Sequence, residues 1–319
     1  VAIADGRIFT AGRVGKETHV IALGMDGKEL WRRPNGESWE ASAEQSYAVP
    51  YAGARGTPTV DGDTACHLSD MGRVAAFEAA TGKERWHVDL RRTFEAPRPK
   101  YGYCESVLLQ GDRLFCCPGG KRGYLAALDR QTGRTLWTNT EIDDPIGYCS
   151  PVVAEIGDVE QLVCLSAARI FAVKPDTGKL LWQHVFGNER NNSAADALVH
   201  DGLVFASCGY GGGSVVVRPQ RQADGTFTVA PVWSTKLLDN HHGGVLLLFC
   251  GAAVAVAAAR IDLTPSVCPL CGGNHFPHHP LLSYVRVDLG LLIAGLGVAL
   301  LAPAVRSALA RKRGDRKET

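Results

Sequence analysis

Apolar residues along this chain come in short runs, and the runs stop at glycine. The opening stretch, "VAIADGRIFTAGRV", places an apolar run on either side of Asp5-Gly6. The same form returns in "VDGDTACHLSD", "LQGDRLFCCPGG" and "VHDGLVFASCGYGGG", with a variant in "AEIGDVEQLVCLSA". A period near two, with β-branched and aromatic residues crowded between turn residues, predicts strands and not helices. An Asp-Gly pair between two such runs predicts a tight hairpin, because glycine takes the positive φ that the turn needs.

A second hairpin follows each of these and closes on a tryptophan. "VIALGMDGKELW" ends at Trp31, "VAAFEAATGKERW" at Trp86, "LAALDRQTGRTLW" at Trp137 and "IFAVKPDTGKLLW" at Trp182. A degenerate copy, "SVVVRPQRQADGTFTVAPVW", ends at Trp233. Successive tryptophans stand 55, 51, 45 and 51 residues apart, and only Trp39 of the six lies outside the series. Two hairpins per period make four strands, the make-up of a β-propeller blade. The expected fold is all-β, a propeller of four-stranded blades with about five present. A blade cannot cover both faces of its own sheet. The five repeat tryptophans are therefore expected to be structural, each covering the face shared with the next blade and worth about 2–3 kcal/mol by area.

The pattern Ala-x-Asp-x-x-Thr-Gly-x-x-x-Trp, best seen in "ALDRQTGRTLW" at 127–137, resembles the pyrroloquinoline quinone (PQQ) repeat. That repeat belongs to quinoprotein dehydrogenases and to the non-enzymatic lipoprotein of outer-membrane barrel assembly. "GYCSPVVAEIGDVEQLV" and "LDNHHGGV" resemble a bacterial subgroup of PQQ-binding-like propeller proteins. The resemblance covers roughly residues 1–244. It implies an eight-bladed propeller facing the periplasm, against which five blades are an incomplete set with unpaired sheet edges. It does not imply an enzyme, since many members lack the cofactor site.

Charge narrows the partners. Thirty-four basic and 33 acidic residues leave a net charge of +1, without the basic face a nucleic-acid binder needs. The chain starts at Val1 in what reads as the middle of a repeat, so a fragment is expected. Of the ten cysteines, Cys66, Cys116, Cys164 and Cys208 recur at one place in the blade, which predicts packing and not disulfides. Cys104 and Cys149 both occur in "GYC", each 33 residues before its tryptophan. The adjacent pair Cys116-Cys117 superficially resembles the bonded cysteine ring of quinoprotein alcohol dehydrogenases, although one of the two is simply the repeat cysteine.

Candidate chemistry gathers where loops enter equivalent inner strands. Tyr103 and Glu105 in "GYCESV", Tyr148 and Ser150 in "GYCSPV", Asn191 beside Asn192 in "NERNNSA", and His241 and His242 in "DNHHGG" are ligand-binding candidates. Propeller loops at one end converge on the central channel, so such residues can form one pocket, with Glu105 and His242 as an acid–base pair. The alternative is that they satisfy backbone groups at turns. No catalytic residue is assigned. Binding PQQ with calcium implies an aromatic floor and six to eight oxygen ligands. Trp39 with Glu37, Glu40 and Glu44 is the nearest approach to that set, and no cofactor is expected.

After Gly244 the pattern changes. "VLLLFCGAAVAVAAA" (245–259) and "VDLGLLIAGLGVALLAPAV" (287–305) are apolar runs, read as a C-terminal helical hairpin in the membrane. The expected domains are thus 1–244 and 245–319. The basic tail, with Arg311, Lys312, Arg313, Arg316 and Lys317, argues for the cytoplasmic side and conflicts with a periplasmic propeller. A fusion, frameshift or assembly error near residue 244 would resolve the conflict. Between the runs, Cys268 and Cys271 have the spacing of half a zinc site that His275, His278 and His279 can complete, while a redox dithiol is the rival reading. The functional expectation is a non-enzymatic binding or scaffold propeller of the cell envelope, taking another protein or a small ligand at its channel or edges. The alternatives are a PQQ-dependent alcohol or sugar dehydrogenase, and a membrane-anchored metal or redox sensor.

Overall fold

The computed structural model describes residues 1–40 and 53–241, and beyond them the backbone of short strands between 245 and 286. The chain divides into two compact units, Val1–Asp239 and Asn240–Thr319. The first holds five four-stranded antiparallel sheets, each formed by consecutive strands. Blade 1 runs from β1 (Ala2–Ala4) through β2 (Arg7–Val14) and β3 (Glu17–Gly24) to β4 (Glu29–Glu37). Blade 2 comprises β5 (Thr59–Asp61), β6 (Thr64–Leu68), β7 (Arg73–Glu78) and β8 (Glu84–Asp89), followed by a single helical turn, α1 (Leu90–Thr93). Blade 3 is β9 (Leu108–Gln110), β10 (Arg113–Cys116), β11 (Leu125–Asp129) and β12 (Thr135–Asn139). Blade 4 is β13 (Val152–Glu155), β14 (Glu160–Leu165), β15 (Arg169–Val173) and β16 (Leu180–Val185). Blade 5 is β17 (Leu198–His200), β18 (Leu203–Cys208), β19 (Gly213–Arg221) and β20 (Phe227–Thr235).

The sequence pattern sets these elements directly. At Asp5-Gly6 and Asp201-Gly202 both residues take positive φ, the geometry of the tight hairpin whose twist matches its strands. In every blade the pairing of the third with the fourth strand slips by one residue beside the repeat tryptophan. Such a bulge re-aims the side chain next to it. The residue paired with the tryptophan is alanine in four blades, Ala22, Ala76, Ala127 and Ala172, and Val216 in the fifth.

The core lies between blades. Among the described residues four buried apolar clusters occur, and each draws residues from two successive sheets. Phe9, Trp31 and Phe77 join blades 1 and 2. Trp86, Leu114 and Cys116 join 2 and 3. Tyr124, Phe171 and Val173 join 3 and 4. Trp182, Val204 and Val217 join 4 and 5.

The repeat tryptophans are the pegs of these joints. Trp31 Nε1 donates to Ala79 O at 3.0 Å, Trp86 Nε1 to Arg130 O at 2.8 Å, and Trp137 Nε1 to Pro175 O at 2.9 Å, each acceptor lying in the next blade. The indole lies flat against the glycine of that blade's third turn. A Cβ on Gly82 would come within 2.6 Å of Trp31, on Gly133 within 2.6 Å of Trp86, and on Gly178 within 2.4 Å of Trp137. Glycine is needed there twice over, for positive φ and for the close approach. Blade 5 departs from the rule. Its third hairpin is longer, Gly225 meets nothing within 4 Å, and Trp182 donates instead to Gln161 Oε1 of its own blade at 2.6 Å.

In the second unit the apolar run expected as a membrane helix is a pair of antiparallel strands, β21 (Val245–Cys250) and β22 (Ala253–Ala258), with Val245 opposite Ala258. A run of apolar residues without polar positions has no period to separate a helix from a buried strand. Val245, Phe249, Val254 and Val256 favour the strand, and Gly251 interrupts the run in the middle. Among the described residues no helix is long and apolar enough to cross a membrane. The second run, 287–305, and the basic tail lie outside the described residues.

Candidate functional site

The loops entering the first strands build one continuous feature. Thr57, Ser106, Ser150 and Asp196 each stand two residues before the first strand of blades 2 to 5. The Thr57 N–H donates to Ser106 Oγ at 3.0 Å, the Ser106 N–H to Ser150 Oγ at 3.1 Å, and the Ser150 N–H to Asp196 Oδ1 at 2.6 Å. One contact is thus repeated from blade to blade, satisfying a backbone donor that the sheet leaves over. Ser150 belongs to this ladder. Thr57, Ser106 and Asp196 are the members that sequence reading misses. The signal was present but out of register. "GYCES" carries one residue more before its strand than "GYCSP", so Ser106, and not Glu105, corresponds to Ser150.

The extra residue points inward. Glu105 is 4% exposed and accepts the Cys117 N–H at 2.7 Å. Burial pushes its carboxyl up to about 7, with the Cys117 N–H opposing. Tyr103, also buried, donates its hydroxyl to Pro118 O at 3.0 Å and its N–H to Asp70 O at 2.9 Å. Tyr148 is half-buried at φ +83°, its ring 5.9 Å from that of Tyr101, and burial pushes its hydroxyl up to about 12. Tyr103, Glu105 and Tyr148, with Cys104, Cys117 and Cys149, line a cavity of about 10 Å³. That is room for about one water molecule and not for a substrate.

The other candidates are not gathered there. Asn191 is an exposed turn residue at φ +53°. His241, half-buried, belongs to the second unit, and His242 lies outside the described residues, so the Glu105–His242 pair is not formed by any described geometry. Cys268, Cys271, His278 and His279 also lie outside them, and of the proposed zinc ligands only the backbone of His275 is described, in the strand Asn274–His275.

The surroundings of Trp39 test the quinone directly. The ring is fully buried, with the Arg55 guanidinium 4.8 Å from its centroid and that of Arg98 at 5.9 Å. Glu40 pairs with Arg13, Glu37 is exposed at the end of β4, and Glu44 lies outside the described residues. Among the described residues no group of three or more His, Cys, Asp or Glu converges as metal ligands. This ring, among the described residues, is already covered by guanidinium groups, an arrangement that leaves no open aromatic floor for a quinone. A carboxylate bound to the Trp39 backbone, that of Asp70, is committed to structure. It is fully buried and accepts Thr18 Oγ1 at 2.5 Å, Ser38 Oγ at 3.0 Å and the Trp39 N–H at 2.7 Å, tying blade 1 to blade 2.

The seven cysteines of the first unit are all free. Cys66, Cys116, Cys164 and Cys208 share the second strand of their blades, facing the third. Burial pushes the Cys66 thiol up to about 12 and that of Cys104 to about 11. Cys116 and Cys117 are not bonded to each other.

Residues 3–248 match the family described as "Outer membrane protein assembly factor BamB". Among curated proteins, the quinoprotein ethanol dehydrogenase of Pseudomonas putida is 33% identical over 135 residues, 39% of this chain and 22% of that protein. The outer membrane protein assembly factor BamB of Burkholderia pseudomallei (strain K96243) is 26% identical over 208 residues, 62% of this chain and 48% of that protein. The chain therefore spans less than half the length of these relatives. Among solved structures, a europium-containing methanol dehydrogenase superposes with a TM-score of 0.52 at 12% identity, covering 82% of this chain and 66% of that one, which shows a shared propeller fold. With the repeat tryptophans, the sheet order and a match running from residue 3 to residue 248 together, the chain belongs to the BamB family of PQQ-type repeat propellers.

Proposed function

We propose that this chain is a non-enzymatic propeller scaffold that holds another protein at the cell envelope. The observation that carries this reading is the use made of the loop residues at the strand entries. Ser106, Ser150 and Asp196 are committed to blade-to-blade hydrogen bonds. Tyr103 and Glu105 close over a cavity of about 10 Å³. Side chains placed to form a substrate pocket act here as internal struts. The relatives named for outer-membrane protein assembly support the envelope setting and a protein partner.

The rival reading is a quinone-dependent dehydrogenase, favoured by the 33% identity to the ethanol dehydrogenase over 135 residues. One measurement separates the two. The protein is incubated with PQQ and calcium, desalted, and its visible and ultraviolet spectrum recorded, with dye-linked alcohol oxidation assayed alongside. The scaffold reading expects no retained quinone absorbance and no turnover. Stoichiometric retention with alcohol-dependent dye reduction would replace it with the dehydrogenase.

A further inference from the structure

The joint between blades 3 and 4 brings two thiols face to face. Cys116 ends β10 and Cys117 follows it. Successive residues of an extended chain point to opposite faces. Cys116 therefore packs in the cluster shared with blade 2, and Cys117 in the cluster shared with blade 4. Cys164, on β14 of blade 4, belongs to that second cluster and faces back. The two thiols meet there in a sulfur-to-sulfur hydrogen bond. Their backbones are fixed on both sides. The Cys117 N–H donates to Glu105 Oε1 at 2.7 Å, and its thiol also reaches that carboxylate. Leu165, next to Cys164, is held by Tyr124 Oη of blade 3 and by Cys149 Sγ, each donating to its carbonyl at 3.2 Å.

We propose that Cys117 and Cys164 are a disulfide site that bolts blade 3 to blade 4, closed by a small-molecule disulfide such as oxidised glutathione. Glu105 takes the Cys117 proton, and the thiolate attacks one sulfur of the oxidant. The oxidant's S–S bond breaks, one half leaves as a thiolate, and a mixed disulfide remains on Cys117. Cys164 then gives up its proton and attacks the Cys117 sulfur. The Cys117–Cys164 bond forms, and the second half of the oxidant leaves. The two leaving thiolates take up the two protons, so two electrons have passed from the protein to the oxidant. In the closed joint the Cys164 thiol, burial and Glu105 hold the Cys117 thiol protonated. It reacts when the joint opens, while Glu105, which enters the same blade, stays beside it. The bond fastens the joint already made by Trp137 on Gly178. The site goes beyond the scaffold reading and does not depend on it.

The test holds the full chain in a glutathione redox buffer with urea below the unfolding transition, so that joints open and reclose. Remaining thiols are alkylated, and tryptic peptides are read by mass spectrometry without reduction. The expected product joins 114–121 to 135–169, and fragmentation places the link at Cys117 and Cys164. The link is expected to be lost in Cys164→Ser and kept in Cys149→Ser. Closing it is expected to raise the urea midpoint by roughly 1 M, because the bond restrains the unfolded chain, and dithiothreitol reverses the shift. Circular dichroism checks that each variant is folded, and the link mapped in the native sequence stands without them. Recovery of Cys117 and Cys164 as alkylated thiols overturns the proposal. So does a link from Cys117 to Cys116 or Cys149, a lasting glutathione adduct on Cys117, or a bond that leaves the urea midpoint unmoved.

Discussion

Glu105 and His67 are buried titrating groups whose pH effects oppose each other. Burial pushes the Glu105 carboxyl from 4.5 up to about 7, and pushes the fully buried His67 from 6.5 down to about 4. A raised carboxyl gives stability that is present at low pH and lost as pH climbs from 4.5 towards 7, because the folded state holds the proton more tightly. A lowered imidazole acts the other way, its stability being lost as pH falls from 6.5 towards 4. Between 4.5 and 6.5 the two slopes offset each other in the native protein. Glu105→Gln removes one of them. The variant is expected to gain stability as pH rises through that window, with the difference from the native protein reaching up to ~3 kcal/mol near neutrality. Urea midpoints measured from pH 4.5 to 7.5 read this directly, and superimposable profiles would show that Glu105 does not titrate in the fold. The chemistry of this spot was legible in "GYCES", but its register was not. Both "GYC" tripeptides lie 33 residues before a tryptophan, and only the hydrogen bonds reveal that Ser106 matches Ser150 while Glu105 is the additional residue.

Within the hairpins, one glycine meets two separate demands that substitution can pull apart. Gly133→Ala incurs left-handed strain at φ +73° and also drives a methyl to within 2.6 Å of Trp86. Gly225→Ala, at φ +83° in the long hairpin of blade 5, incurs strain alone, since nothing lies within 4 Å. The blade 5 variant is expected to lose ~1–2 kcal/mol from the backbone. The blade 3 variant is expected to lose a further ~1–3 kcal/mol from overpacking. Equal losses in urea unfolding would mean that the indole shifts freely and does not pin the joint. Elements of this kind were readable because turn residue, strand period and tryptophan recur together. The run at 245–259 was not, because fifteen residues without a polar position carry no period, and the strands β21 and β22 fall where a helix was expected. The lengthened turn of blade 5 was visible as a degenerate repeat. Its effect on the preceding blade, turning Trp182 to Gln161, lies in three dimensions only.

Across the whole row, stability is a sum of joints between neighbours, as in other repeat architectures. Among the described residues the four buried clusters each span two blades, so blades 2 to 4 share two such joints and blades 1 and 5 one each. Amide hydrogen exchange is expected to follow that order. Strands β6, β10 and β14 should exchange last and at similar rates. Strand β20, whose residues are mostly exposed, should exchange ahead of them by at least ~10-fold. Uniform protection across all five sheets would instead mean that blades 1 and 5 are held as firmly as the three between them. The fold was legible at this scale because the tryptophan spacing alone counts the blades. The closure of the set was not, since no spacing says what meets the last face. The joint itself has a direction: indole forward, glycine back. A row built from such joints behaves like a sentence and not like a stack, for its units can be duplicated in order yet cannot be reversed. Blade 5 is the unit that breaks the grammar if moved, because it has given up the glycine that would receive the blade before it.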